Sequence, residues 1–528
     1  MPNSQTNIAF TAPHFAAAQT GENVLRQGGT AIEAMVAAAA SIAVEYPHMN
    51  GLGGDGFWLI SEPGKTPVAI DAAGTAGRAA TLSRFSNKTA LPSRGPDAAV
   101  TMAGAVSGWQ TALQLSHQWQ PGIPLAELLA PAIGQAKWGI EITHSLSSAS
   151  HKTFDELSEF QGFAPFLHKG KPLKEGHILK LPALAATLEQ LTHEGLDSFY
   201  RGEIAASLAQ DLQQAGSLLS AEDFAAYSAA WVTPLKADIS VGRLYNLPAP
   251  TQGIASLIIL ALYDRLAHLV DDEASRVHLI IECTKQAFLL RDAHVVDPEQ
   301  VSLPLSSLLD AEKLDQLAAK INVQKALPWP HQAAHGDTIW MGACDQQGRM
   351  VSYIQSLYWE FGSGIVSPTT GIVWNNRGTS FSLDPDDKRC LRPGAKPFHT
   401  LNPAYAELHD GRRISYGTMG GEGQPQTQAA LFSRYVYQNL PLAQSIADGR
   451  WLLGRTWGDQ SHNLKLEADL ADEIGATLAS MGHDTAIVSP CNEMMGHAGA
   501  VVHHPDGHTE AATDPRSDGK AFPSGGMW

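Results

Sequence analysis

An α/β protein is what this sequence predicts, and three features predict it. Helix-period and strand-period segments alternate from the start of the patterned chain, a hairpin pattern follows Gly336, and no low-complexity tract interrupts them. The 528 residues suggest three or so domains on length alone, or one large α/β body. Hydrophobic residues make up 44% and charged residues 17%, an ordinary globular balance with ample chain to bury a core.

Gly21 to Val44 places Val24, Leu25, Ile32, Met35 and Val36 at helical spacing among alanines, broken at Gly28-Gly29. A helix so rich in alanine packs close to its neighbours and reads as buried. It leads through Asn50-Gly51-Leu52-Gly53-Gly54-Asp55-Gly56 into the strand-like Phe57-Trp58-Leu59-Ile60. These glycines match the G-x-G-x-x-G fingerprint of dinucleotide sites, which needs a strand before it and a helix after it. Here the order is reversed, so a tight turn is the reading. Residues 100–240 read as helical, with Ser220 placed to cap a helix opened by Ala221-Glu222-Asp223. Pro248 to Gly253 is a loop before the apolar helix Ile254 to Leu266, and Cys283 to Asp297 makes another helix. Residues 322–337, with Pro328, Pro330, His331 and His335, form a polar connector without periodicity, where a processing site belongs.

Gly336-Asp337-Thr338 ends that connector, and a strand pattern then runs to the turn Asp345-Gln346-Gln347-Gly348 and returns through Met350 to Ser356. If the bond between Asp337 and Thr338 were broken, Thr338 would carry a hydroxyl nucleophile and its own α-amine on one residue. An α-amine titrates near pKa ~7.7–8.0, so it accepts the hydroxyl proton near neutral pH. Branching at Cβ restricts χ1 and holds Oγ in place. Further along, Gly420-Gly421 stands between the strand-like Ile414-Ser415-Tyr416 and a helix beginning near Pro425. It reads either as a plain turn or as two amide N–H groups aimed at a developing oxyanion. Arg377 follows Ile372-Val373-Trp374, which reads as a buried strand. It is either an exposed arginine paired with Asp384 or Asp386, or a planar fork for a carboxylate.

A net charge of −17 argues against a nucleic-acid or anionic-membrane partner. A small anionic substrate remains compatible if it meets a local cationic pocket. Residues 1–7 lack a basic segment followed by an apolar one, and no apolar stretch is long enough to span a bilayer. Cys283, Cys344, Cys390 and Cys491 are scattered without C-x-x-C spacing. Reduced thiols in a cytoplasmic protein are therefore expected. His503-His504-Pro505-Asp506-Gly507-His508 reads as a hairpin turn rather than a metal site. There is no G-x-S-x-G, H-E-x-x-H or G-x-x-x-x-G-K-[ST] string, and neither metal nor cofactor is expected.

Phe361 to Val366, Gly371 to Asn376, Gly417-Thr418-Met419-Gly420-Gly421 and Asp514-Pro515-Arg516-Ser517 stand in an order and spacing that resemble the small subunit of the γ-glutamyltransferase family. Leu129 to Ile133, Phe199 to Gly202 and Leu219 to Phe224 are similar to its large subunit, so the resemblance covers nearly the whole chain. It implies an N-terminal nucleophile hydrolase, a four-layer αββα sandwich made as one chain that cuts itself. The large chain would be residues 1–337 and the small chain residues 338–528, intertwined as one body, with any higher oligomer left open. By the same resemblance Thr338 is the nucleophile, Gly420 and Gly421 are the oxyanion glycines, and Ser356 is a hydroxyl contacting the nucleophile. The turn Asn50 to Gly56 would lie near the site, and Asp384 to Pro397 would be a lid loop.

Departures from the family pattern concern the substrate. Ala73 stands where the family has the arginine for the substrate α-carboxylate, and Ser380 where it has the acid for the α-amine. Arg377 replaces a neutral or acidic residue, His399-Thr400 replaces paired serines, and Tyr358 replaces an asparagine. Bacterial members are commonly exported, which this chain's start does not suggest. Together these changes imply a small anionic amide without an amino group, held by Arg377, Tyr358, His399 and Thr400. Such a pocket resembles that of family members acting on oxamate, which is split to oxalate and ammonia in purine-nitrogen breakdown. A γ-glutamyl hydrolase or transferase is the alternative, and a non-catalytic binding protein on the same fold is a second.

Overall fold

The computed structural model describes residues 7–331, 336–454 and 462–523. Two antiparallel sheets organise it. The seven-stranded sheet runs Lys520–Phe522, Ala9–Ala12, Asp337–Cys344, Met350–Tyr358, Asp55–Ser61, Val68–Ala72 and Ala230–Val232. The six-stranded sheet runs Thr509–Thr513, Gly499–His503, Arg413–Gly417, Ala404–Leu408, Gly242–Asn246 and Leu235–Ile239. The early strand Ala9–Ala12 is hydrogen-bonded between Asp337–Cys344 and the late strand Lys520–Phe522, so the two ends of the described chain meet in one sheet.

Strict alternation of side chains explains how these strands pack. Along Asp337–Cys344, Trp340 and Cys344 enter a core with Phe57, Leu59, Ile354, Tyr405 and Val501, drawn from both sheets. Ile339, Met341 and Ala343 face the other way, into a core with the helices Phe15–Arg26 and Ala31–Glu45. Asp55–Ser61 divides likewise, Phe57 and Leu59 to one core and Trp58 and Ile60 to the other. A third core sets the helices Gly253–Leu266, Glu273–His294 and Gly423–Phe432 against the inner strands of the six-stranded sheet. Both faces of the central strands are therefore buried, and Asp337–Cys344 has no exposed residue.

Local sequence accounts for most boundaries. Ala31–Glu45 opens with a capping box in which Thr30 and Glu33 satisfy each other's backbone, and every residue of this alanine-rich helix is buried. The break expected at Gly28-Gly29 separates it from Phe15–Arg26. Ser220 caps Ala221–Ala226 through Asp223, and Gly499–His503 with Thr509–Thr513 forms the hairpin expected around Pro505-Asp506-Gly507. His504 and His508 stack in its turn and bond Glu510 and Asp506.

Two expectations need correction. The helix read over Cys283 to Asp297 starts earlier, at Glu273, because Asp272 caps it by accepting from Ser275 N–H, and it ends at His294. Ile372-Val373-Trp374 is not a strand. Val373 and Trp374 only bridge Val366 and Gly53, because Gly371, at φ 73°, turns the chain immediately before them. Within the connector, residues 332–335, including His335, lie outside the described residues, as do residues 1–6. No helix among the described residues is long and apolar enough to cross a membrane.

Trp340 sits between the sheets, 2% exposed, and its indole N–H donates to Ser352 Oγ at 2.9 Å. Trp340→Ala should lower stability by roughly 3–5 kcal/mol, read as a fall in the urea midpoint. A loss under about 1 kcal/mol, the range of ordinary surface changes, would show that the sheets do not depend on this contact.

Candidate active site

Thr338 is the second residue of the strand Asp337–Cys344 and is 1% exposed. The chain runs unbroken from Asp337 into Thr338. Opposite Thr338 the ladder is irregular: Gln355 pairs with Ile339, but Tyr358, not Leu357, pairs with Asp337. Ser356 and Leu357 thus face one residue, which is a β-bulge. Tyr358 ends the bulge at φ 86°, a strained value for a bulky residue.

The bulge replaces ladder bonds with side-chain bonds. Thr338 Oγ donates to the carbonyl of Gln355 at 2.7 Å. Ser356 Oγ donates to the carbonyl of Asp337 at 2.6 Å and accepts from the Tyr358 amide at 2.8 Å. The resemblance led to a Ser356 hydroxyl touching the nucleophile. Its hydrogen bond goes to the Asp337 carbonyl, directly before Thr338.

Gly420 and Gly421 follow the strand Arg413–Gly417 and precede the helix Gly423–Phe432. Their φ values of 112° and 53° turn the chain as only glycine does readily. Among the described residues neither amide N–H has an acceptor. The Gly421 carbonyl accepts from Gln252 Nε2 at 2.9 Å, and that amide also holds the Thr400 carbonyl at 2.8 Å. Arg291 supports Gln252 Oε1 at 3.1 Å and pairs with Glu422 at 2.8 Å. The sequence showed Gln252 only as part of a loop, since nothing local marks its distant partners. Gly336 lies in the same corner, where an added Cβ would come within 3.1 Å of the Tyr358 ring, 3.2 Å of Gly421 Cα and 3.4 Å of Thr400 Oγ1.

Arg377 is fully buried and so does not make the exposed pairing considered with Asp384 or Asp386, both of which stay at the surface. Its guanidinium stacks over the Tyr358 ring at 3.8 Å, with Nη1 3.5 Å from Thr400 Oγ1. Arg377 Nε and His399 Nε2 each lie 3.7 Å from Asp55 Oδ2, too far for a hydrogen bond. Among the described residues, Arg377 Nε and Nη2, both His399 ring nitrogens and Asp55 Oδ2 all lack a hydrogen-bond partner. Each group left so costs ~1–3 kcal/mol, more when charged. Burial lowers Arg377 to about 10, against the charges of Tyr358 and Asp55, so it remains a cation near neutrality. Burial, then the charges of Arg377 and Lys396, push His399 well below its ordinary value, leaving it neutral.

The glycine turn comes to this site as expected. Gly53 passes so close to Val373 that a Cβ would fall 1.9 Å from its carbonyl oxygen. Asn375 clamps the approach, donating from Nδ2 to the Gly53 carbonyl at 2.9 Å and accepting the Arg377 amide at 3.0 Å. Ala73 is buried in the inter-sheet core, and the hydroxyl of Ser380 has no partner. On the other side of Gly336 a cavity of about 240 Å³ is lined by His48, Lys152, Asp337, Glu360, Gly420 and Glu493, among others. Burial, then the charges of Glu360 and Glu493, push the Asp337 carboxyl well above its usual range. Glu360 and Glu493 come from separate segments and carried no sequence signal.

One group among the described residues, His278, Glu282 and His483, has metal-ligand spacing. Its cation is already provided: Lys285 Nζ lies 2.6 Å from Glu282 Oε1, and the two histidines bond directly at 2.7 Å.

In this mixed α/β body a buried threonine follows a carbonyl held by Ser356, and the Gly420-Gly421 turn meets the corner at Gly336, two residues before it; the class of protein, enzymes that hydrolyse amide C–N bonds, comes from its relatives. The chain belongs to the gamma-glutamyltranspeptidase family, whose model matches residues 17–524. It is 51% identical over 521 residues to the oxamate amidohydrolase proenzyme of Klebsiella pneumoniae, covering 98% of this chain and 99% of that one. It is 35% identical to the glutathione hydrolase-like YwrD proenzyme of Bacillus subtilis, covering 98% of each chain. Among solved structures, the cephalosporin acylase from Bacillus halodurans superposes with a TM-score of 0.89 at 29% identity, covering 98% of this chain and 96% of that one. These relatives are hydrolases, so the chain is an enzyme, an amidohydrolase, and the non-catalytic reading falls.

Proposed function

We propose that this chain is the precursor of an N-terminal threonine amidohydrolase that cuts itself between Asp337 and Thr338 and then hydrolyses oxamate to oxalate and ammonia. The two sheets sharing a core, with helices outside each, are read as the four-layer αββα sandwich of N-terminal nucleophile hydrolases. Residues 1–337 and 338–528 are its large and small chains. The observation that carries the substrate reading is the buried set of unpartnered donors on Arg377 and His399, beside Thr400 and Tyr358. Burying a guanidinium without a hydrogen-bonded partner is costly unless an anion completes it. Ala73 and Ser380 leave a γ-glutamyl substrate neither the arginine nor the acid that the family pattern provides. The name of the Klebsiella relative supports the same substrate.

In self-cleavage Thr338 Oγ attacks the Asp337 carbonyl, and Ser356 donates to the oxygen on which charge develops. The peptide nitrogen leaves as the Thr338 α-amine, and water opens the ester to free the Asp337 carboxylate. In turnover that amine takes the Thr338 hydroxyl proton as Oγ attacks the oxamate amide carbonyl. The Gly420 and Gly421 amides hold the oxyanion, ammonia leaves with the proton, and water releases oxalate. Arg377 grips the far carboxylate with its planar fork.

Purified wild-type protein should run as two chains on a denaturing gel, with the small chain starting at Thr338, and Thr338→Ala should run as one. A small chain starting elsewhere, or normal maturation of Thr338→Ala, would refute the nucleophile assignment. Ser356→Ala should slow maturation by about 10²–10³, the usual loss when one oxyanion donor is removed. Maturation at the wild-type rate would remove Ser356 from the cleavage step.

Arg377→Lys keeps the charge and loses the fork, so it should mature normally yet lose ~2–5 kcal/mol in kcat/KM for oxamate. Ammonia release from oxamate, compared with release from a γ-glutamyl anilide, decides the substrate. A preference for the anilide would favour the γ-glutamyl alternative.

A further inference from the structure

Asp55 is a buried carboxyl that the proposed mechanism leaves unused, and the sheet sets it at the active site. It opens the strand Asp55–Ser61 directly opposite Ser356, whose hydroxyl holds the scissile carbonyl. Its Oδ1 accepts the Gly74 amide at 2.7 Å, which fixes the carboxyl plane. Its Oδ2 has no hydrogen-bond partner and looks onto Arg377 Nε and His399 Nε2, each at 3.7 Å. An ion pair that claimed these donors would close to ~2.7–2.9 Å. At 3.7 Å the carboxyl faces the cation without occupying its hydrogen-bonding positions.

Resting on the oxamate reading, we infer that Asp55 is the positioning residue that sets the pocket's charge, binding a proton when a carboxylate occupies Arg377 and opposing that carboxylate when ionised. The balance is simple. With Asp55 ionised, Arg377 is already neutralised and a bound monoanion leaves the site at −1. With one proton added to Asp55, Arg377 and the bound carboxylate cancel. The other charged or titratable groups facing Asp55 do not break this balance. His399, its ring edge-on to Phe57, is held neutral, and Asp71 is paired with Lys396 at 2.7 Å. Tyr200 and Tyr227 are buried phenols held above their ordinary range. Tyr358 presents its ring face to Arg377. Burial pushes Asp55 up to about 7, against the charge of Arg377 and the Gly74 amide, so the switch falls in the working pH range.

The test uses mature enzyme. Binding of pyruvate, an unreactive monoanion of oxamate's shape, is followed by calorimetry at pH 8 in buffers of different ionisation heat, and KM and kcat for oxamate are measured from pH 6 to 9. The expected result is uptake of close to one proton and a KM that rises by about tenfold per pH unit above about 7. The kcat profile should instead follow the Thr338 amine. Asp55→Asn, nearly isosteric, should still cut itself while losing both the proton uptake and the slope in KM. Ammonia release from oxamate with no proton uptake and a level KM in wild type would overturn this inference and leave the substrate reading intact. Neither ammonia from oxamate nor heat from pyruvate would overturn both. If Asp55→Asn does not fold, the wild-type calorimetry decides alone.

Discussion

The β-bulge at Ser356 and Leu357 is the constraint on which the site depends. In a regular ladder backbone bonds would continue across the strands opposite Asp337 and Thr338. Doubling two residues against Thr338 breaks the ladder there and nowhere else along the hairpin. It puts the Ser356 hydroxyl on the Asp337 carbonyl and the Gln355 carbonyl on the Thr338 hydroxyl. Tyr358 closes the bulge with a positive φ and takes part in both halves of the site. Its amide holds Ser356, and its ring lies under Arg377. Strain of this kind costs ~1–3 kcal/mol and persists only where the surroundings enforce it. Here two sheet neighbours and both core layers enforce it.

The second organising feature is electrostatic. Moving a charge from water into a protein interior costs several kcal/mol unless it is paired and hydrogen-bonded. Arg450, Arg516, Glu467 and Asp514 meet that condition, with close ion pairs throughout. Arg377, His399 and Asp55 do not, although they are equally buried. The contrast separates a structural charge cluster from one left incomplete, and the incomplete one adjoins Thr400 and Tyr358, next to Gly336 and the Gly420-Gly421 turn. A chain of net charge −17 has no general affinity for anions, so on the proposed reading this local cation would carry the selectivity.

Period decided what could be read from the sequence. The hairpin from Thr338, the alanine-rich helix and the capped helix at Ser220 follow from patterns within about fifteen residues, and all three are present. The glycine turn could be placed near the site, but its reason, contact of Gly53 with the Val373 carbonyl, depends on a partner 320 positions away in the chain. Register is likewise silent in sequence: Ser356 was visible as a strand residue, while the bulge that aims it was not. The exposed alternative for Arg377 rested on Asp384 and Asp386 being near in sequence. The short helix Arg377–Ser380 turns the arginine inward, and the two acids remain on the loop beyond it. Asp55, Gln252, Glu360 and Glu493 became site residues only through long-range packing.

On the proposed reading, the same geometry would keep an uncut chain inactive. Gly336 fills the corner formed by Tyr358, Thr400 and Gly421, where the proposed substrate would enter, and Asp337 occupies the adjoining acidic cavity. In the uncut chain burial, then the charges of Glu360 and Glu493, raise the Asp337 carboxyl well above its usual range. On the proposed route, cleavage adds an α-carboxylate to that residue while removing its covalent tie to Thr338. Two carboxyls on that residue, facing two glutamates, would make the cavity a poor place for the new end to stay. Its departure would open the corner at Gly336 and let water ionise the released acid, a free-energy gain that rejoining would have to reverse. Self-cleavage would then release the nucleophile's amine and clear the substrate's path in one step.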